Sequence, residues 1–171
     1  MSQAVWMREA RPGDTEAIRE IYNWAVANTT ATLDTEPRSL EAQHDWMARH
    51  DGNPYPLLVA THPEDGTVLG YACLSPYNPK PGYRTTAENS VYVHPDWHGL
   101  GIGSALLTAL LAEADAREFV ALIALITADN TASIRLHSRL GFETVGTLRQ
   151  VGRKFNRWVD VTVLQRLHPL S

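Results

Sequence analysis

The chain has 171 residues, 44% hydrophobic and 20% charged. That length and balance fit a single globular domain, residues 1–171, and exclude a disordered chain. A formal net charge of −4 argues against general nucleic-acid binding, and the longest apolar run, Phe119–Ala128, is too short to cross a bilayer.

The opening stretch MSQAVWMREARPGD holds no apolar core of signal-peptide length. Within it, AVWMREA reads as a short strand that RPGD breaks, and Asp14 is placed to cap a helix through TEAIREIYNWAVA. Ile18, Ile21, Tyr22 and Ala25 fall on one face of that helix. NTTATLDTEPRS is a polar loop. LEAQHDWMARH reads as a second helix with Leu40, Trp46 and Met47 as its apolar contacts. YPLLVAT and TVLGYACLS form paired strands around the turn HPEDG. The lone cysteine, Cys73, sits in the second of these strands as a core residue. It excludes an internal disulfide and fits a reducing, cytoplasmic compartment.

PYNPKPGYR, with three prolines and a glycine, is a stiff loop of the kind that carries recognition residues. AENSVYVHP is the next strand. Gly99, Gly101 and Gly103 follow, then a helix, SALLTALLAEADA, with Leu106, Leu107, Leu110 and Leu111 as its buried stripe. The apolar run FVALIALIT reads as a strand covered on both faces. Asn130 caps a short helix, TASIRLHSRL, which Gly141 stops. GFETVGTLRQVG and RWVDVTVLQRL close the chain as strands. The order is βααβββαβαββ, an α/β fold with a mixed sheet.

Strand, glycine turn and helix together make an anion cradle. Residues without Cβ let consecutive amides turn inward, and the helix start adds free N–H groups and the positive end of its dipole. A Walker A loop would need a lysine after Gly103, and a dinucleotide fingerprint from Gly99 would need glycine at Ser104. Two readings stay open: a coenzyme A pyrophosphate site, and a tight turn with no ligand. His94 and His98 have i, i+4 spacing, but Pro95 intervenes and no third ligand is near, so no metal site is expected. RQVGRKFNRW mixes basic and aromatic residues, yet reads as a charged hairpin rather than a nucleic-acid surface.

HPDWHGLGIGSALL resembles the acyl-CoA signature of the GNAT superfamily of N-acetyltransferases, Q/R-x-x-G-x-G/A, with His98 where Gln or Arg is usual. DNTASIRLHSRLGF is similar to that superfamily's second coenzyme A segment. IYNWAV, NTTA, ENSVYVHP and QVGRKFNRWVDVTVLQ, in this order, resemble the phosphinothricin and methionine sulfone/sulfoximine N-acetyltransferases over nearly the full chain. The resemblance implies a mixed, mostly antiparallel central sheet flanked by helices. It also implies acetyl-CoA as co-substrate, a small amino acid or analogue as amine, direct attack in a ternary complex, and a homodimer.

By that resemblance the pantetheine arm lies along Val91, Tyr92 and Val93, and the pyrophosphate on the amides of Gly99, Leu100, Gly101, Ile102, Gly103 and Ser104. Asn130 and Arg139 complete the cofactor contacts; without a ligand they read as a helix cap and a solvated last-turn cation. Glu88 stands at the position of the general base. An amide near Val91 faces the oxyanion. His137 stands where many members place a tyrosine acid, although a lone histidine on an apolar face also reads as core. Asn78, Pro79 and Lys80, together with Glu88, Asn89 and Ser90, are the substrate-contact candidates. Tyr77 and Asn78 depart from the family's tryptophan and basic residue, leaving Lys80 or Arg84 to supply the charge. The alternatives are a non-catalytic coenzyme A sensor, or an acetyltransferase for a protein N-terminus or an antibiotic amine.

Overall fold

The computed structural model describes residues 4–168. Seven strands form one sheet: β1 (Trp6–Glu9), β2 (Leu57–Thr61), β3 (Val68–Pro76), β4 (Thr86–Val93), β5 (Ala121–Thr127), β6 (Glu143–Lys154) and β7 (Arg157–Leu167). Four helices flank it: α1 (Thr15–Asn28), α2 (Leu40–Ala48), α3 (Ile102–Ala116) and α4 (Thr131–Arg139). The spatial order of strands is β1-β2-β3-β4-β5-β7-β6. Every neighbouring pair is antiparallel except β4 with β5. The element order read from sequence is the observed one.

The sheet separates two cores. On one face, Leu106, Leu107 and Leu110 of α3 pack with Leu69, Leu74, Leu122 and Leu164. On the other, Ile18, Ile21 and Tyr22 of α1 pack with Val59, Tyr71 and Cys73. Truncating a fully buried leucine of the α3 layer to alanine costs about 2–5 kcal/mol.

Three local expectations are corrected. Asp14 does not cap α1. Its carboxylate is taken by Arg8 (Nη1 to Oδ2, 2.7 Å; Nη2 to Oδ1, 2.9 Å) and by the Arg11 N–H, 2.7 Å. It therefore closes the turn between β1 and α1 instead. Leu40, at the start of α2, is 48% exposed and packs in neither core. Leu125 of β5 is 45% exposed, so that strand is not covered on both faces. The exposed face opens into the cleft described next.

Candidate active site

β4 and β5 pair only from Thr86–Ala121 to Glu88–Ile123, and beyond that point no register joins them. Main-chain alternation then fixes what lines the gap. The His94 N–H bonds to Leu69 O, so residues 88, 90 and 92 spend their main-chain groups on β3. Asn89, Val91 and Val93 turn theirs toward β5. Across the gap, the bonds Ala128 N–H to Asp160 O and His168 N–H to Val120 O leave Leu125 and Thr127 facing β4. Two open strand edges thus face each other, with unpaired main-chain donors and acceptors of the kind that pair with an added extended strand.

A cavity of about 290 Å³ occupies this gap, with Glu88, Asn89, Ser90, Val91 and Tyr92 of β4 in its wall. Side chains alternate across the strand, so Glu88 and Ser90 lie on the α1/α2 face with Tyr92, while Asn89 lies on the α4 face. Glu88 is half-buried, and burial pushes its carboxyl above the usual carboxylate range.

Asn89 is 6% exposed and His137 is 3% exposed. Nδ1 of His137 lies 2.8 Å from the Ser133 carbonyl, which can only accept, so Nδ1 carries the proton. Nε2 then accepts from Asn89 Nδ2 at 2.9 Å. Burial lowers the His137 pKa, opposed by the Ser133 carbonyl, which keeps the ring in this neutral form. In this tautomer neither ring nitrogen holds a proton that faces the cleft. The acid role implied by resemblance therefore lacks a proton to give.

Asn130 caps α4 through its Oδ1, which accepts from the Ser133 N–H at 3.2 Å, and it also lines the cleft. The glycine turn lies beyond the end of β4. Gly99 and Gly101 adopt φ of +77° and +82°, while a Cβ at either would meet nothing within 4 Å. Their need for glycine is conformational rather than spatial. Gly103 differs: it is helical, and its Cβ would lie 3.5 Å from Leu136. α3 begins with the N–H groups of Ile102, Gly103 and Ser104 free of intrahelical partners. Together with the open edges, these groups fit the phosphates and pantetheine arm of acetyl-CoA.

His98 ties the glycine turn to β4. Its Nε2 donates to Val93 O at 2.8 Å, which pins the glycine turn to the last open-edge carbonyl of β4. Arg139 is exposed and lies outside the cleft wall. Asn78, Pro79 and Lys80 also lie outside it; Asn78 Oδ1 instead accepts the Lys80 N–H within its own loop. In their place the far wall comes from Thr30, Thr32 and Leu33, with Leu125, Thr127 and Val161. The sequence marks NTTATLDTEPRS, residues 28–39, only as a polar loop. Its sole signal was the NTTA match, because nothing local says which strand a loop will face.

Comparison with known proteins places this geometry. Residues 18–142 match the Acetyltransferase (GNAT) family. The chain is 44% identical over 162 residues to a phosphinothricin N-acetyltransferase of Streptomyces coelicolor, covering 92% of this chain and 95% of that one. It is 44% identical over 159 residues to an L-methionine sulfoximine/L-methionine sulfone acetyltransferase of Pseudomonas aeruginosa, covering 93% and 92%. Among solved structures, a GNAT-superfamily phosphinothricin acetyltransferase from Sinorhizobium meliloti in complex with AcCoA superposes with a TM-score of 0.92 at 37% identity. That match covers 98% of this chain and 89% of that one.

Proposed function

The chain belongs to the acetyltransferase (GNAT) family, and from that premise we propose that it moves the acetyl group of acetyl-CoA to the primary amine of a small amino acid or analogue. Phosphinothricin, methionine sulfone and methionine sulfoximine are the model substrates, after the relatives named above. The observation that carries this reading is the single position of Glu88. It stands where β4 and β5 part, on the face away from α4, with burial raising its basicity.

In the proposed reaction, Asn89 and Val91 offer their open-edge main chain to the pantetheine arm, and Val93 offers its N–H, its carbonyl already accepting from His98. The amides from Gly99 to Ser104 hold the pyrophosphate. An amine with pKa ~8 arrives mostly protonated, and Glu88 takes its proton directly or through water. The free amine attacks the thioester carbon while both substrates are bound. The Val91 N–H, which faces the gap, stabilises the oxyanion. Collapse of this tetrahedral intermediate breaks the C–S bond, and the new amide nitrogen gives up its remaining extra proton to water. Coenzyme A leaves as the thiolate, which takes a proton from solvent. His137 serves as a positioning residue: it holds the Asn89 amide against α4.

The finer parts of this proposal are a cytoplasmic location and a homodimer. The free, buried Cys73 supports the first. Among the described residues no helix is long and apolar enough to cross a membrane, and no group of three or more metal-ligating side chains occurs. The homodimer is supported by β6, which lies at the sheet edge and exposes Val145, Leu148 and Val151.

The test is release of free coenzyme A thiol from acetyl-CoA with a panel of amines: L-amino acids, phosphinothricin, methionine sulfone and sulfoximine, an antibiotic amine and a peptide. Turnover of the small amino acids or analogues is the expected result. Preference for the peptide or the antibiotic would move the substrate class, and thiol release with none of them would indicate the sensor.

A further inference from the structure

Leu33 is half-buried at the tip of the loop between α1 and α2, and it lines the α1/α2 side of the cleft. Its neighbours on both sides are tied down. Thr32 O accepts from the buried Lys154 Nζ at 2.8 Å. Tyr22 OH bonds to Thr32 Oγ1 at 3.0 Å and to the carboxylate of Asp34. Two residues before that, Thr30 Oγ1 donates to Asp129 Oδ1 at 3.2 Å, and Asp129 in turn pairs with Arg157 at 2.9 Å. The loop backbone therefore cannot retreat without breaking several of these bonds.

The Leu33 side chain rests on Gly152 of β6. A Cβ built at Gly152 would lie 2.5 Å from Leu33 Cδ1 and 3.3 Å from Cδ2. Real Cβ atoms do not come that close. Gly152 does not have positive φ, so the backbone there would accept alanine. What the missing methyl provides is room for the isobutyl group to fold out of the cleft onto the β6–β7 hairpin.

We propose that Gly152 sets the size of the compartment for the substrate's side chain, by letting Leu33 lie back from the cleft. This inference rests on the acetyltransferase reading of the same site. The compartment beside Glu88 has Leu33, Leu125 and Val161 as aliphatic walls, so it takes an unbranched or short aliphatic side chain on the amine-bearing carbon. Adding a methyl at 152 turns Leu33 inward, because its anchored loop leaves only rotamer change as an escape.

The experiment compares kcat/KM for acetylation of glycine, L-alanine, L-methionine and L-methionine sulfone in four proteins: wild type, Gly152→Ala, Leu33→Ala and the double variant. The expected result for Gly152→Ala is a roughly tenfold or larger loss on the two longest side chains relative to the smaller ones. Leu33→Ala broadens the range, and in its background Gly152→Ala has no further effect. Melting curves accompany each variant, and the double variant recovers the folded state if Gly152→Ala alone does not. Equal fractional losses on all four amines in Gly152→Ala, or an undiminished effect in the Leu33→Ala background, overturn the inference. A wild type that acetylates no amine of the wider panel overturns the acetyltransferase reading itself, and the inference with it.

Discussion

His137 Nε2 accepts a hydrogen bond from Asn89 Nδ2 at 2.9 Å, inside the α4 face of the cleft and away from Glu88. Glu88 and Asn89 are adjacent in sequence, yet the pleat sends them to opposite sides of the sheet. One side chain lines the α1/α2 side of the cleft and the other braces α4.

The pair gives His137→Phe and His137→Gln different outcomes. Phenylalanine removes the acceptor, and kcat/KM falls about tenfold as Asn89 loses its partner. Glutamine keeps an acceptor, and most activity returns. Neither change alters the shape of the pH–rate profile above the ordinary histidine pKa of ~6.5, because burial holds the ring neutral there. If both variants lost activity equally and the alkaline limb vanished, His137 would be the acid.

The same burial ties His137 to stability. Its folded pKa lies below the ordinary value of ~6.5. Below that ordinary value the unfolded chain binds a proton that the folded ring resists. The contribution is therefore fully present above pH ~6.5 and is lost as pH falls toward the folded pKa. Melting curves of wild type and His137→Phe between pH 5 and 7 check this, and the variant shows the shallower decline.

Glu88→Gln removes the base without changing its shape. A loss of about 10²–10⁴ in kcat/KM is expected. The wild-type acid limb, which Glu88 produces as it deprotonates at a raised pKa, disappears in the variant. A retained limb would assign it to another group.

Gly101 and Gly103 separate conformation from space. Gly101→Val forces a β-branched residue to φ +82°, at a cost of about 1–2 kcal/mol, and it weakens acetyl-CoA binding in calorimetry. Gly103→Ala meets only ordinary contacts and stays within about 0.5 kcal/mol of wild type.

Asp14→Asn breaks the bidentate pair with Arg8 and costs about 1–2 kcal/mol, discounted because Arg8 is partly exposed to solvent. Burial alone would raise the Asp14 carboxyl, but the hydrogen bonds from Arg8 and the Arg11 N–H outweigh it and hold it below its usual value. The stability it supplies is present above the unfolded carboxylate pKa and is lost as pH falls through the lower folded one. Wild type should lose this increment under acid melting, and the variant should not.

Sedimentation gives the check on assembly. Wild type runs at twice the chain mass, while Val145→Glu with Val151→Glu, both on the exposed β6 edge, runs as a monomer. A wild-type monomer would remove the homodimer.

Much of the fold was legible because its cues are local. Helix periodicity marked the Leu106–Leu111 stripe, Asn130 announced a cap, and Gly141 at φ +91° announced a stop. The strand RWVDVTVLQRL was read with its observed bounds. Local cues also misled. Asp14 before a helix looks like a cap, but Arg8 lies close enough in space to claim its carboxylate.

Composition, periodicity and motif spacing by themselves determined the element order and the glycine turn, since these depend on residues a few positions apart, whereas the candidate base Glu88 was implied only by the family resemblance. Only the tertiary structure decided that β4 and β5 part at Glu88, that Asn89 turns to His137, that His98 locks the turn to Val93, and that Leu33 lies back on Gly152. Each of those joins residues from different elements, and across such a distance the chain path, rather than the local pattern, selects which groups come within bonding reach.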